Sequence, residues 1–489
     1  MFNLTQLHKY RESNRLEAKK AVGGLPNSVW ETYSAFANTN GGMILLGVEE
    51  LPDGSLVAVE LDNPEKLVKE FWDIVNNKNK VSRNILFDKH VQIEDIDNKR
   101  IVVIEVPRAE RTVKPIYLNN NPLSGSYRRN GEGDYRCTEE TVRAMFRDND
   151  SKTQDMRVLE KLPLSVFDYD SLRGYRNSMQ VTRPGHVWER LEDIEFLSKL
   201  GAVDIGEDGE RHPTAAGLLM FGFENEILKE YPQYFLDYQE NSALHTPRRW
   251  TDRFVSSSGE WSGNVFDFFY KAYNKLIQNP KIKIPFKMKD GLHRVEDTPV
   301  HKALREALAN CLTNADFYGP RGLVIRNNAD EIIFENPGSF RVSISEALSG
   351  GVSSPRNSVI MKMFSLLDIG ERTGSGIQLI YQAWKEQNWN EPKYVEMFEP
   401  DRTILTLSVT SDEDVPVNDP VNDLVNDPVN KIQSDILNIL KKNNSATYAQ
   451  IARKVNISEA TVKRNLKKLQ ELKLIKRIGS DKTGHWEVL

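Results

Sequence analysis

Three polar residues spaced four apart, Glu306, Asn310 and Asn314, form the first group in the sequence that could do chemistry. Residues four apart lie on one face of a helix, so this spacing predicts one carboxylate and two amides in a row. An amide oxygen can complete the coordination of Mg²⁺ beside phosphate groups, and a carboxylate can orient or deprotonate an attacking water. The row therefore predicts a site for a nucleotide with its metal ion.

Two glycine-containing segments farther along the chain suit the same ligand. The segment 335–338 (ENPG) follows a predicted strand, and the segment 372–376 (RTGSG) opens a predicted helix. Glycines at a helix N-terminus let backbone N–H groups approach phosphate oxygens. The candidate nucleotide-binding residues are Asn310, Asn314, Asn336, Gly338, Thr373, Gly374 and Gly376.

In their order and context these motifs resemble the GHKL ATP-binding domain, in the variant found beside Schlafen-type domains in bacterial regulators, over residues 299–410. The resemblance implies ATP and Mg²⁺ as cofactors. It implies Glu306 as the catalytic base for hydrolysis, Asn310 as a magnesium ligand and Asn336 as the adenine contact. Gly374 and Gly376 would belong to the phosphate lid.

The chain departs from the GHKL pattern at two places. The adenine-reading position is usually Asp, whereas here it is Asn336, whose amide oxygen still accepts a hydrogen bond but carries no charge. The glycine box is also shorter than the full G-x-G-x-G. Three alternatives stay open for this region: nucleotide binding alone, ATP hydrolysis, and a degenerate GHKL fold that serves as a dimerisation scaffold without nucleotide.

A second candidate site lies near the N-terminus. If residues 16–19 are extended, Glu17 and Lys19 fall on the same face of the strand. A carboxylate with a lysine two residues on is a workable arrangement for a metal nuclease. The carboxylate side would hold Mg²⁺ or Mn²⁺, and the ammonium would stabilise the charge that develops on a phosphorane.

The segments LEAK (16–19), AFANTNGG (35–42), LLGV (45–48) and YRRNG (127–131) resemble the Schlafen AlbA-like domain, over residues 1–148. The resemblance implies a metal site of three acidic residues, and Glu12 and Glu17 match the first two. At the third position, usually Asp, the chain offers only Glu49 or Glu50. The candidate catalytic residues here are Glu12, Glu17 and Lys19, and the candidate metal ligands are Glu12, Glu17 and Glu49.

Two other interpretations of the N-terminal cluster stay open. Glu12 and Glu17 could be surface charges paired with Arg15 and Lys20. Alternatively, the domain binds nucleic acid or a partner through basic side chains. Those side chains are Lys19, Lys20, Arg128 and Arg129.

The last 59 residues are strongly basic, with 13 Lys and Arg against 5 Asp and Glu in 431–489. Apolar periodicity predicts a helix over 432–442. A capping box at Thr447–Gln450 predicts a second helix to about residue 454, and Ser458 would cap a third helix to about residue 472, followed by a two-stranded wing over 474–488. A basic third helix is typical of a helix-turn-helix that holds phosphates and reads bases. The segment resembles bacterial winged helix-turn-helix regulators over about 58 residues, which implies double-stranded DNA as partner.

On that interpretation, the candidate DNA-binding residues divide into two groups. Those expected near bases are Glu459, Thr461 and Arg464. Those expected near the phosphate backbone are Lys463, Lys467, Lys468, Lys476 and Arg477. A winged helix used only for protein contacts is the alternative.

The elements that must position these sites indicate a multi-domain α+β chain of 489 residues. We predict a Schlafen AlbA-like α/β domain (1–150), an intermediate α+β region (151–298), a GHKL-like α/β sandwich (299–410), a flexible acidic linker (411–430) and a winged helix (431–489). The linker repeats Val-Asn-Asp, carries six acidic residues and offers little to bury. No secretory signal or apolar run long enough for a membrane span is evident, and Cys137 and Cys311 lie far apart, so we predict a cytoplasmic location without membrane association.

Taken together, the sequence predicts an ATP-binding, DNA-binding transcriptional regulator whose nucleotide state modulates DNA binding, acting as a homo-oligomer. The alternative is a metal-dependent Schlafen-like nuclease acting on RNA or DNA, in phage defence, with the GHKL-like domain as sensor. The enzymatic status, whether ATPase or nuclease, stays open.

Overall fold

The computed structural model describes residues 10, 12–241, 250–282, 298–370, 374–398 and 400–411, the backbone of 288–289 and 293–294, and parts of the chain from residue 436 onward. The chain divides into two compact units, Met1–Asp414 and Val415–Leu489. The division falls within the predicted linker 411–430, almost all of which lies outside the described residues. The domain boundaries themselves stay predictions.

The N-terminal part of the first unit alternates short strands and helices. In chain order its elements are β1 (Leu16–Lys19), α1 (Ser28–Asn38), β2 (Gly42–Leu46), β3 (Val48–Glu50), β4 (Leu56–Ala58), α2 (Pro64–Val75), β5 (Val91–Ile96), β6 (Lys99–Val106), α3 (Pro122–Gly125), β7 (Tyr127–Asn130), β8 (Gly133–Arg136) and α4 (Glu139–Asn149).

The central sheet of this part has the strand order β1-β2-β6-β5, with β1 parallel to β2 and the other pairs antiparallel. Successive side chains of β2 point to opposite faces, and both faces are covered. Ile44 and Leu46 pack in the same apolar cluster as Phe36 of α1, whereas Leu45 packs in a second cluster with Leu56 of β4. The register places Glu17 beside Ile44 and therefore on the α1 side of the sheet.

The remainder of the first unit is larger. Its elements are α5 (Tyr169–Thr182), α6 (Asp193–Leu200), β9 (Val203–Ile205), β10 (Arg211–Pro213), α7 (Ala215–Phe221), α8 (Glu224–Glu230), β11 (Leu236–Asn241), β12 (Asp252–Val255), α9 (Val265–Leu276), β13 (Met288–Lys289), β14 (His293–Arg294), α10 (Pro299–Asn314), β15 (Leu323–Asn328), β16 (Glu331–Pro337), α11 (Ile344–Ser349), α12 (Ser358–Leu366), α13 (Gly376–Glu386), β17 (Lys393–Met397) and β18 (Arg402–Ser408).

A six-stranded sheet with the order β12-β11-β15-β16-β18-β17 organises this part. Strand β11 pairs parallel with β15, so the sheet takes strands from both sides of the boundary predicted at residue 298. Helix α10 packs against α9, α12, α13 and β16. One continuous apolar cluster runs from Leu159 to Val409, and its burial fixes α10 against the sheet.

The second unit contains α14 (Tyr448–Val455) and an antiparallel pair, β19 (Ile475–Ile478) and β20 (His485–Val488). The predicted capping box is present, since Thr447 N donates to Gln450 Oε1 at 3.0 Å and Gln450 N donates to Thr447 Oγ1 at 3.3 Å. Val462, Leu466 and Leu469 pack with Ile451 and Trp486 in one core. In the described part of the chain, no helix is both long and apolar enough to cross a membrane.

Candidate functional site

Helix α10 begins at a well-formed cap and carries the predicted row of polar residues into a cavity. Pro299 occupies the first turn, and Thr298 Oγ1 accepts a hydrogen bond from His301 N at 3.4 Å. Glu306, Asn310 and Asn314 all line one cavity between α10, α13 and the end of β16. The spacing of four therefore brings the three side chains together, as predicted.

Within this row the side chains contact one another. Asn310 Nδ2 donates to Glu306 Oε1 at 3.0 Å, and Asn314 Nδ2 donates to the carbonyl oxygen of Asn310 at 2.9 Å. Glu306 is only 6% exposed. Because the side-chain nitrogen of Asn310 is engaged with Glu306, its side-chain oxygen, Oδ1, is the atom that a metal ion would bind.

The predicted glycines let the backbone approach this row closely. A Cβ on Gly376, the first residue of α13, would collide with Glu306 Oε1. Gly374 has a φ of +72°, and a Cβ there would lie 2.7 Å from Val352 N. Both glycines line the cavity. The positive φ and the close backbone of Val352 favour glycine at position 374, whereas at position 376 a Cβ would require the Glu306 side chain to move. Thr373 lies outside the described residues.

Asn336 stands near the end of β16 with an unsatisfied acceptor. It lines the cavity, is 7% exposed, and its Oδ1 has no hydrogen-bond partner among the described residues. Buried polar atoms nearly always have partners, and this oxygen is available to accept a hydrogen bond from a bound molecule. The exocyclic amino group of adenine can donate such a hydrogen bond.

Gly338 is not part of the cavity wall. Its φ is +98°, and a Cβ would lie 2.7 Å from Arg356 Nη1. Gly338 lines a neighbouring cavity instead, together with Arg356. The absence of a side chain at Gly338 therefore lets Arg356 approach the backbone, beside the candidate nucleotide cavity.

Several cavity residues were not predicted from the sequence because they come from β17, β18 and the segment after β16. They are Ser339, Phe340, Arg341, Val342, Ala347, Val352, Ser353, Ser354, Pro355, Tyr394, Thr403 and Leu405. Phe340 and Tyr394 form an edge-on ring pair with centroids 5.9 Å apart. The cavity has room for water-sized groups over about 130 Å³.

In the N-terminal cluster, Glu17 is engaged by basic side chains of the protein. Glu17 and Lys19 lie on one face of β1 and form an ion pair. Glu17 Oε2 also lies 2.6 Å from Arg129 Nη2, and both side chains are almost completely buried. Glu17 is therefore neutralised by Lys19 and Arg129, and not by Arg15 or Lys20.

The other two predicted metal ligands have protein partners. Glu12 Oε1 accepts a hydrogen bond from Ala18 N at 3.0 Å, and burial, aided by the negative charges of Glu17 and Glu50, raises its pKa despite that bond. Glu49 pairs with Lys20 at 3.0 Å. Among the described residues, no three His, Cys, Asp or Glu side chains are grouped so that they could hold a metal ion. The metal roles of Glu12, Glu17 and Glu49 and the nuclease alternative stay predictions.

Two arginines proposed for nucleic-acid contact are interior residues. Arg128 is 4% exposed and its Nη2 donates to Asp401 Oδ2 at 2.9 Å. Arg129 is 3% exposed and also pairs with Asp134. Neighbouring residues of a strand point to opposite faces: Arg129 lies over the ring of Phe36 in α1, whereas Arg128 lies over the ring of Phe398. The expectation that they form an exposed binding surface is wrong.

In the second unit, two predicted DNA contacts have described side chains, and both are exposed: Lys463 and Lys476. Arg477 lies in β19, opposite Trp486, but its side chain is not among the described parts. The remaining predicted contacts lie outside the described residues: Glu459, Thr461, Arg464, Lys467 and Lys468.

Comparison with family models assigns four regions of the chain. Residues 12–138 match the model "Schlafen, AlbA_2" and residues 322–407 match "Putative ATP-dependent DNA helicase recG C-terminal". Residues 429–476 match "Winged helix-turn-helix DNA-binding", and residues 143–237 match a domain of unknown function. The chain thus combines matches to a Schlafen AlbA_2 domain, a RecG-type ATPase-like domain and a winged helix-turn-helix, which is the combination predicted from the sequence.

Two solved structures are similar to this chain. The DIP2311 protein from Corynebacterium diphtheriae has 17% identity and a TM-score of 0.40, over 97% of this chain and 92% of that one. The N-terminal domain of a "Putative ATP-dependent DNA Helicase RecG-related Protein" from Nitrosomonas europaea has 33% identity and a TM-score of 0.23, over 28% of this chain and 95% of that one. No curated protein matches the chain.

The family-model matches confirm the fold class predicted from the sequence. The multi-domain α+β organisation, the AlbA-like domain, the ATPase-like domain and the winged helix are all present. The winged helix-turn-helix indicates a DNA-binding protein, and the ATPase-like domain indicates use of a nucleotide.

Proposed function

We propose that this protein is an ATP-binding transcriptional regulator in which the nucleotide state modulates DNA binding by the winged helix. The proposal rests on the unpartnered Oδ1 of Asn336, buried in the same cavity as the Glu306–Asn310 pair. The unpartnered acceptor of Asn336 suits the adenine of one ligand. The carboxylate–amide pair elsewhere in the lining suits the phosphate groups of the same ligand.

The residues present fit ATP with Mg²⁺. Asn336 would accept a hydrogen bond from the adenine amino group, and Asn310 would hold the metal through its side-chain oxygen, Oδ1. Bound Mg²⁺ would neutralise phosphate charge. Gly374 and Gly376 line the cavity where α13 begins, and the first N–H groups of a helix, which have no partner within the helix, can donate to phosphate oxygens. The proposal requires binding of ATP but not its hydrolysis.

We further propose that nucleotide acts on DNA binding through the oligomeric state. The acidic composition of 411–430 predicts a flexible connection. A flexible connection does not pass a change of shape at the nucleotide cavity on to the winged helix. Association of two copies would instead raise the effective concentration of the second winged helix on DNA. Homo-oligomerisation is therefore part of the proposal.

The binding step is tested by measuring ATP affinity in the presence of Mg²⁺ by calorimetry. Asn336→Ala removes the acceptor and should weaken binding about 5- to 100-fold, the range for a buried donor left without a partner. Asn336→Asp keeps an acceptor at the same place and should retain binding. Asn310→Ala should weaken binding only when Mg²⁺ is present.

Asn225→Ala, at an exposed position on α8, is the matched control and should bind ATP like the parent chain. The proposal is wrong if the parent chain has no measurable affinity for ATP, or if Asn336→Ala and Asn310→Ala both bind as tightly as Asn225→Ala.

A further inference from the structure

A second cavity lies between the AlbA-like domain and the ATPase-like domain, and its wall is rich in cations. Six basic side chains line it: Arg108, Arg111, Lys114, Arg128, Arg341 and Arg356. The acidic side chains of the wall are Asp148, Asp316 and Asp401. The cavity shares Ser339, Phe340 and Arg341 with the candidate nucleotide cavity but is otherwise separate from it.

The three carboxylates of this cavity are already engaged by arginines. Arg356 holds Asp148 through two hydrogen bonds, of 2.9 and 2.7 Å. Asp401 is held by Arg128, and Asp316 pairs with Arg147 at 3.1 Å.

Arg108 likewise has its own partner, because its Nη1 and Nη2 both donate to the carboxylate of Glu396. These four pairs engage the acidic groups that the described residues place near the cavity.

Three cations of the wall remain without a carboxylate of their own among the described residues. Arg111 donates to the carbonyl oxygen of Asp148 and to Ser354 Oγ, and Lys114 donates to the carbonyl oxygen of Asn38 at 3.0 Å. These acceptors carry no charge.

The third cation is Arg341, which donates to the carbonyl oxygen of Pro355 at 2.6 Å. Its nearest carboxylate, 3.7 Å from Nε, is Asp148, which Arg356 already holds.

The surroundings of these cations are electrostatically unfavourable as they stand. Burial, together with the positive charges of Arg108 and Arg128, lowers the pKa of Lys114 well below its usual range. Burial also lowers the pKa of Arg341, to about 10, and the charges of Arg356 and Arg111 contribute. The Nε–H groups of Arg128 and Arg341 are buried without acceptors in the described part of the chain. Leaving such donors unpaired is costly.

We infer that this cavity binds a small tetrahedral oxyanion, a phosphate group, between Arg111, Lys114 and Arg341. A doubly charged anion would offset two of these three positive charges, and its oxygens would accept from the unpartnered guanidinium N–H groups. The cavity has room for water-sized groups over about 30 Å³, more than one water requires. Because its wall comes from both domains, the anion would join them.

The test is a titration of the full chain with inorganic phosphate by calorimetry, at fixed pH and with chloride keeping the ionic strength constant. We expect saturable binding at one site. Lys114→Met, which keeps the length of the side chain without its charge, should weaken phosphate binding at least tenfold. Lys78→Met, the same substitution at an exposed position, should leave it unchanged.

Arg111→Gln provides a second variant if Lys114→Met does not fold, and it should also weaken binding at least tenfold. The inference is overturned if the parent chain shows no saturable phosphate binding, or if the folded variants bind phosphate like the parent. Asn336→Ala should leave phosphate binding intact, so failure of the nucleotide proposal would be distinguished from failure of this one.

Two sources could supply the phosphate group, and a competition experiment separates them. If phosphate competes with ATP, the group in this cavity belongs to the nucleotide, since the two cavities share a wall. If the two bind independently, the ligand is a separate phosphate. In both cases the phosphate occupies this cavity, so Lys114→Met should weaken the binding of inorganic phosphate.

Discussion

Glu306 and Gly376 illustrate how closely single residues determine the candidate site. The carboxylate of Glu306 occupies the place that any side chain at position 376 would need, because a Cβ there would collide with its Oε1. The three atoms nearest to that Cβ all belong to the Glu306 side chain, so Glu306 is the main source of the conflict. The two residues should therefore be energetically coupled.

We expect Gly376→Ala to destabilise the chain by about 1–3 kcal/mol, the usual cost of overpacking a well-packed site, and to reduce ATP binding. In a Glu306→Ala background the same substitution should cost much less. Equilibrium unfolding of the four chains in this cycle measures the coupling.

Gly23→Ala is the control, because no described atom lies within 4 Å of a Cβ at that position, and it should leave stability unchanged. Equal costs of Gly376→Ala with and without Glu306 would show that the close approach does not exist.

Single residues also show where sequence reasoning fails. The row on α10 was predictable because its spacing is local to one helix. The burial of Arg128 and Arg129 was not, because their partners Asp401 and Glu17 are distant in sequence and a pair of arginines usually lies on the surface. The orphan oxygen of Asn336 likewise requires the surrounding strands to be known.

Helix α4 is one of the elements that link the AlbA-like domain to the ATPase-like domain by charge. Asp148, in its last turn, receives two hydrogen bonds from Arg356. Burial alone would raise its pKa, but the charge and hydrogen bonds of Arg356 and the charge of Arg341 outweigh burial, and the pKa is lowered from its ordinary value of 3.8. The folded state therefore favours the ionised form.

A lowered folded-state pKa contributes stability that is present above pH 3.8 and is lost as the pH falls through the folded-state value. We expect Asp148→Asn to destabilise the chain by about 3–5 kcal/mol near pH 6, since it leaves Arg356 buried without its counter-ion. The difference from the parent chain should shrink below pH 3.8.

Urea unfolding at a series of pH values measures this difference. Asp170→Asn, which removes a carboxylate from an exposed ion pair on α5, is the control and should change stability little at any pH. A difference for Asp148→Asn that is constant from about pH 6 to well below the ordinary pKa of 3.8 would contradict the assignment.

Among the helices and strands, those that local patterns determine were predictable. Residues 16–19 are extended, and Glu306, Asn310 and Asn314 share one helix, as their spacing predicted. The pairing of β11 with β15 was not predictable, because the two strands are far apart in the sequence and their pairing leaves no periodic signal in either. For the same reason the contribution of β17 and β18 to the cavity was missed.

For the molecule as a whole, the DNA-binding unit could be predicted from charge and helical periodicity alone. Its Thr447–Gln450 capping box and its two-stranded wing are present. The partly described third helix places Val462, Leu466 and Leu469 in the core and leaves Lys463 exposed.

We expect the double variant Lys463→Ala/Lys476→Ala to weaken DNA binding and to reduce the slope of log affinity against log salt by roughly 2, about one for each lysine that no longer neutralises a phosphate. Fluorescence anisotropy with a labelled duplex at several salt concentrations measures that slope. Lys66→Ala/Lys78→Ala, at exposed positions in the AlbA-like domain, is the control. An unchanged slope in the Lys463/Lys476 variant would exclude these lysines from the DNA interface.

A chain that couples a nucleotide cavity to a DNA-binding module should bind DNA differently in its two nucleotide states. The affinity of the full chain for double-stranded DNA is therefore measured without nucleotide and with saturating ATP and Mg²⁺. We predict a change of about 5- to 150-fold, the usual range of allosteric coupling, which disappears in Asn336→Ala at the same ATP concentration. Identical affinities with and without ATP, in a chain shown to bind ATP, would mean that the cavity and the winged helix are not coupled.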